Sequence, residues 1–171
     1  EVINVVYQAL KRLGFKQFRT VLNNRKILAG LAQYAGVPAE QAGQLYRSID
    51  KLDRIGVDGV KEELRANGVA EQAAARLMDL LQIRGTNREL IAVFERLCDY
   101  PNALAGIREL EEIVNYLNAL GIPEECYQIV LSMVRGLEYY TGPIYETVVE
   151  EPKIGSITGG GRYDALIGLF T

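Results

Sequence analysis

Residues 134–146 read Val-Arg-Gly-Leu-Glu-Tyr-Tyr-Thr-Gly-Pro-Ile-Tyr-Glu, and residues 158–164 read Thr-Gly-Gly-Gly-Arg-Tyr-Asp. The first stretch runs into a β-branched segment, Pro143 to Glu150, and the second leaves one, Ile154 to Thr158; both have the composition of short strands. Glu150-Glu151-Pro152-Lys153 between them is turn-like and predicts an antiparallel hairpin. Tyr127 to Ser132 reads as a further strand. So does Phe18 to Leu22, which stops at Asn23-Asn24.

Between these strand segments the texture is helical. Val2, Val5, Val6, Ala9, Leu10 and Leu13 recur at helical spacing before Gly14, and Asn24 is placed to cap a helix that runs to Tyr34 and stops at Gly36. Ala42, Leu45, Ile49, Leu52 and Ile55 predict a helix ended by Gly56, with Asp58 capping a short successor. Ala74, Leu77, Met78 and Leu81 mark the next, and Thr86-Asn87-Arg88-Glu89 has the spacing of a capping box. Ile107, Leu110, Val114 and Leu117 mark another, with Gly121 and Pro123 as its stop. A short helix is expected over Tyr163 to Leu169. The pattern predicts an α+β fold, a sheet domain interrupted by an all-helical insertion. Its parts are 1–37, 38–121 and 122–171.

The 171 residues suffice for one ordinary domain or two small ones. Nineteen Lys and Arg against 22 Asp and Glu, a net charge of −3, exclude a chain that coats nucleic acid by bulk charge. With 49% apolar and 24% charged residues, disorder is also excluded. The longest uncharged run, residues 27–39, contains Gly30, Gly36 and Pro38 and is too short for a membrane helix. No basic-then-apolar leader opens the chain, so a cytoplasmic location is expected. Cys98 and Cys126 form no CxxC pair and are expected to be reduced packing residues. The chain has no His, which removes imidazole bases, Ser-His and Cys-His nucleophiles and most transition-metal sites; no metal site is expected. Glu1 stands inside a helical pattern without an initiator Met, and a segment of a longer protein is expected.

Arg135 to Gly142 places a guanidinium, a carboxylate and two phenols in eight positions. If extended, Arg135, Leu137 and Tyr139 share one face, and Glu138 and Tyr140 the other, unless Gly136 or Gly142 marks a bulge. Arg suits a phosphate or carboxylate through its planar fork; a plain hairpin with a surface Arg and core Tyr is the alternative. Gly159-Gly160-Gly161 permits close approach to the backbone but matches neither a P-loop nor a dinucleotide fingerprint, so a tight turn is the alternative there.

Together the two stretches closely resemble the two histidine-specific motifs of the histidyl-tRNA synthetases, class II aminoacyl-tRNA synthetases. Asn23-Asn24-Arg25-Lys26-Ile27-Leu28 and Ser48-Ile49-Asp50-Lys51-Leu52-Asp53 resemble the stretches leading into and through that family's helical insertion, so the resemblance covers essentially the whole chain. It implies part of a class II antiparallel-sheet catalytic domain in which Arg135 is the catalytic cation, contacting the histidine carboxylate and the ATP α-phosphate. Tyr139, Tyr140 and Tyr163 would recognise histidine, and Gly160 and Gly161 would let the backbone approach it. A buried polar match of this kind can discriminate by about 10⁴ or more. Glu138 departs from the family's usual Asp with the same charge.

The resemblance further implies ATP as co-substrate with Mg2+ in the parent, histidine and tRNA as partners, and a homodimer. The remaining ATP-binding and amino-group-binding residues would lie outside this segment, which is then expected to be inactive alone. The insertion would lie near the tRNA acceptor stem. Residues 24–126 carry 12 Lys and Arg against 16 Asp and Glu, so an RNA contact there would need a local basic face. Arg84, Arg88 and Arg96 form one if their helix is continuous; a solvated helix face is the alternative. Synthetase-like regulatory subunits of ATP phosphoribosyltransferase and tRNA-sensing domains are the rival class, and intact motif residues favour the enzyme.

Overall fold

Asn24 ends a strand and begins a helix, and its side chain serves both. The computed structural model describes residues 1–97, 99–137 and 139–170. In it, β1 (Gln17–Asn24) runs directly into α2 (Arg25–Tyr34). The Asn24 backbone is extended, at φ −142° and ψ 135°, while its Oδ1 accepts from the Lys26 N–H at 2.9 Å, as an N-cap should. Its Nδ2 donates to the Gly106 carbonyl at 3.3 Å and to Glu109 Oε2 at 2.7 Å. One fully buried amide therefore ties β1 and α2 to α7 (Pro101–Ala119).

Helices α2 and α7 form the centre of the core. Ile27, Leu28 and Leu31 of α2 and Ile107, Leu110 and Val114 of α7 are each at most 1% exposed, and each such burial stabilises by about 1.5–3 kcal/mol. The helices approach closely at Gly106, where a Cβ would stand 3.1 Å from the Ile27 backbone nitrogen. That contact brings Glu109, one turn further along α7, within reach of Asn24 and Lys26.

The sheet has the order β2-β1-β3-β4, with β2 at Tyr127–Ile129, β3 at Pro143–Glu151 and β4 at Gly155–Gly161. β1 with β3 and β3 with β4 are antiparallel, and the predicted hairpin forms. β2 pairs with β1 in parallel, so the sheet is mixed and not wholly antiparallel. The chain reaches β2 only after the long helical excursion, the kind of crossover a parallel pair requires. β2 also stops three residues short of the expected Ser132. The Val130 N–H still reaches the Leu22 carbonyl at 2.9 Å, but the Met133 N–H then turns back to the Val130 carbonyl.

The remaining helices are α1 (Val2–Arg12), α3 (Ala42–Ile49), α4 (Leu52–Ala66), α5 (Glu71–Leu81) and α6 (Asn87–Leu97). α1 lays Tyr7 on Phe18 with ring centroids 5.8 Å apart, yet Val2, Val5 and Leu13 of its expected core face stay exposed. Gly56, at φ 69°, bends α4 where a helix end was expected. The capping box forms: the Thr86 N–H donates to Glu89 Oε2 at 2.8 Å and the Glu89 N–H donates to Thr86 Oγ1 at 3.3 Å. Arg84 precedes α6 and donates to the Leu81 and Ile83 carbonyls, so it does not share a continuous helix with Arg88. The Arg96 side chain and Cys98 lie outside the described residues. Cys126 is a free, half-buried thiol, and burial, with Glu125 beside it, raises its pKa. The expected helix over Tyr163 to Leu169 is reduced to a single 3-10 turn, Ile167–Leu169. No helix among the described residues is long and apolar enough to cross a membrane.

Candidate active site

The described residues of 131–142 form a loop tied to the β1–α2 junction by two residues, Asn23 and Arg25. Asn23 Nδ2 donates to the Leu131 carbonyl at 3.0 Å and to the Met133 carbonyl at 2.9 Å. Arg25 Nη2 donates to the Leu137 carbonyl at 2.9 Å, and the Arg25 backbone N–H donates to the Gly142 carbonyl at 2.9 Å. The Arg25 guanidinium itself lies 5.1 Å from the Tyr46 ring centroid, within cation–π range; burial there lowers its pKa from the ordinary arginine value. A loop whose carbonyls are claimed at four points is fixed in register relative to β1.

Within the loop, Gly136 has φ +56°, and the N–H groups of Tyr139 and Tyr140 both donate to its carbonyl. The segment is therefore a turn, and the strand alternation expected for Arg135 to Tyr140 does not occur; Glu138 lies outside the described residues. The turn sets the two phenols edge to face, with centroids 4.4 Å apart, and Tyr163 joins at 5.3 Å from Tyr139 and 6.3 Å from Tyr140. Three tyrosines from two separate motifs thus form one cluster. Burial, then the neighbouring Tyr139, raises the pKa of Tyr140, so its hydroxyl remains a donor at neutral pH.

The register of β3 and β4 places the glycines. Glu146 faces Gly159, Tyr145 faces Gly160 and Ile144 faces Gly161. Successive strand residues point to opposite faces, so Gly159 and Gly161 open towards the loop. A Cβ on Gly159 would stand 2.8 Å from Arg135 Cζ, and one on Gly161 would stand 2.8 Å from the Tyr140 ring. Gly160 opens on the other side, where a Cβ would meet the Tyr145 hydroxyl at 2.5 Å. Arg135 and the tyrosine cluster thus lie side by side on a strand stripped of side chains. Arg135 Nη1 donates to Glu146 Oε1 in a tight ion pair; the carboxylate is 22% exposed and the guanidinium 40%. The cation is anchored on one side and open on the other. Beside it a cleft of about 510 Å³ is lined by Arg47, Asp50, Lys51 and Arg54 and by Arg135 and Tyr139.

Of the six residues expected to form the site, the structure brings Arg135, Tyr139, Tyr140, Tyr163 and Gly161 together, with Gly160 in the same strand facing Tyr145. Sequence reasoning missed Glu146 and Gly159, although both lie inside the quoted motifs, because their roles depend on strand register. It also missed Glu109, which carries no local signal. Among the described residues no group of three or more His, Cys, Asp or Glu side chains is placed to hold a metal ion.

The sequence model of the histidyl-tRNA synthetase family matches residues 1–171. Curated relatives include the histidine–tRNA ligase of Korarchaeum cryptofilum, 43% identical over 176 aligned residues that take in 100% of this chain and 38% of the relative. The histidine–tRNA ligase of Clostridium tetani is 39% identical, with 100% of this chain and 39% of the relative covered. The chain therefore spans about two fifths of the length of these relatives. Among solved structures, the histidyl-tRNA synthetase of Nostoc sp. PCC 7120 superposes with a TM-score of 0.93 at 30% identity, over 99% of this chain and 40% of that one. A Bacillus halodurans protein described as an ATP phosphoribosyltransferase regulatory subunit/histidyl-tRNA synthetase superposes with a TM-score of 0.83 at 26% identity, over 99% and 43%. By the family match along its whole length, and by relatives of this identity, the chain belongs to the histidyl-tRNA synthetase family.

Proposed function

We propose that this chain is the histidine-recognising part of a histidine–tRNA ligase, whose parent protein activates histidine with ATP and transfers it to tRNA. The observation that carries the reading is the convergence of Tyr139, Tyr140 and Tyr163 beside Arg135 on the face opened by Gly159 and Gly161. Phenol hydroxyls suit the two ring nitrogens of an imidazole. A pocket built to hydrogen-bond that ring rejects apolar amino acids because they leave its polar groups unpaired. Gly161 lets the strand backbone lie close to Tyr140 and the amino acid, while Gly160, facing Tyr145, keeps the backbone bare on the other side.

Arg135 supplies the electrostatics. Adenylate formation builds negative charge on the α-phosphate as the histidine carboxylate attacks it. A guanidinium held in place by Glu146 meets that charge without reorganising, so it stabilises the transition state more than the ground state. ATP is the co-substrate and Mg2+ accompanies it in the parent. Its ligands belong to parts of the parent outside this segment, and the segment alone is inactive. Residues 1–37 and 122–171 belong to the catalytic domain, and 38–121 form a helical insertion near the tRNA acceptor stem. The parent is a cytoplasmic homodimer.

The regulatory-subunit reading is favoured by the B. halodurans likeness. Against it stands the retention of Arg135 and all three tyrosines. Histidine-dependent ATP–pyrophosphate exchange, run on the full-length parent beside the 171-residue segment, separates the two. Exchange by the parent alone supports the ligase; histidine binding by the parent without exchange supports the regulatory reading.

A further inference from the structure

We infer that Glu109, a helix residue outside both motifs, is a positioning residue that holds Tyr163 in the aromatic cluster by clamping Arg162 before it, which in turn holds Asp164 after it. Its carboxylate is 22% exposed and gathers three donors. Asn24 Nδ2 reaches Oε2 at 2.7 Å, and Lys26 Nζ at 2.5 Å and Arg162 Nη1 at 2.9 Å both reach Oε1. Burial alone would raise its pKa, but the bonds from Lys26 and Asn24 and the nearby charges outweigh burial and lower it, so the group is a carboxylate at any working pH.

The chain of contacts continues from Arg162 past Tyr163 to Asp164. Arg162 Nε donates to Asp164 Oδ1 at 2.8 Å, and Thr141 Oγ1 donates to Asp164 Oδ2 at 2.8 Å. The backbone closes the same loop: the Thr141 N–H donates to the Arg162 carbonyl and the Arg162 N–H to the Pro143 carbonyl, both at 2.9 Å. Arg162 and Asp164 are thus fixed by their side chains, and Tyr163 between them has its direction set towards Tyr139 and Tyr140. An isolated exposed ion pair holds little. This one is different because the Glu109 end is half-buried, is anchored to the β1–α2 junction through Asn24, and acts on a network whose members support one another. The clamp also joins α7, a helix of the 38–121 region, to the pocket.

The inference rests on the histidine-pocket reading, and the test separates the two. In the full-length protein, Glu109→Gln preserves shape and removes the charge. Loss of a charge-assisted bond predicts a rise of about tenfold in the KM for histidine, with the KM for ATP within about twofold and kcat within about threefold of wild type. Arg162→Lys, at an exposed position, is the second variant. The double variant is expected to be no worse than the worse single one, because both break the same clamp. An unchanged KM for histidine in folded variants overturns the inference, as do equal rises for histidine and ATP or additive effects. If wild-type protein neither binds histidine nor shows histidine-dependent exchange, the pocket reading falls, and amide hydrogen exchange decides the clamp. Faster exchange at Thr141 and Arg162 in Glu109→Gln, with protection of α2 and β1 unchanged, supports it; unchanged exchange at those amides overturns it.

Discussion

Gly161→Ala isolates the contact between the strand backbone and the tyrosine cluster. Gly161 does not have a left-handed φ, so the added methyl carries no backbone strain and acts only through space. It would stand 2.8 Å from Tyr140 Cδ1 and Cγ and 3.0 Å from Ile144 Cγ2, against about 3.5–4.0 Å for relaxed carbon contacts. Ile144 is fully buried and has nowhere to go, so the Tyr140 ring must retreat by roughly 1 Å. Overpacking of this kind costs about 1–3 kcal/mol, and a displacement of that size in a binding group is expected to raise the KM for histidine about 10- to 100-fold. The KM for ATP should change less than about twofold, since ATP is proposed to meet Arg135 and not Tyr140. The assay is ATP–pyrophosphate exchange by the full-length protein at varied histidine. Gly168→Ala is the control: a Cβ there meets nothing within 4 Å. A Gly161→Ala protein with wild-type thermal stability and wild-type KM for histidine would refute the placement of Tyr140 in the pocket.

Asn24→Ala removes an N-cap together with the buried bonds to the Gly106 carbonyl and Glu109 Oε2, so urea unfolding should show a loss of about 2–4 kcal/mol; a loss below about 0.5 kcal/mol would mean that water replaces the amide. Tyr140→Phe should weaken histidine binding about tenfold or more and leave ATP binding unchanged, as read by titration of each ligand. Equal losses would assign Tyr140 to the fold alone.

Most of the architecture was legible because it is written in local rules. Asn24 capping α2, the Thr86–Glu89 box and the β3–β4 hairpin each depend on residues a few positions apart, and each formed. What was not legible depends on distant parts of the chain. The parallel pairing of β2 with β1 is decided by where the helices return the chain. The loop at 131–142 resembles a strand in composition, but Asn23 and Arg25 capture its carbonyls from more than 100 residues away, and Gly136 turns it. The motif residues were found as residues, yet their grouping was not. Tyr139 and Tyr140 act together only because the segment is not extended, and Gly159 outranks Gly160 in facing Arg135 only because of the register with Glu146. Glu109 was invisible: it is one acidic position among several on α7, and only the close crossing at Gly106 and the return of the chain at the end of β4 give it three donors.

The central claim is that Arg135, anchored by Glu146 beside the three tyrosines, acts on the transition state of histidine activation. Single-turnover adenylate formation by full-length Arg135→Ala, with histidine affinity measured on the same preparation, tests it most directly. The account predicts a rate lower by about two to four orders of magnitude with histidine affinity changed less than about threefold. A rate within threefold of wild type would remove Arg135 from the chemistry and contradict the account.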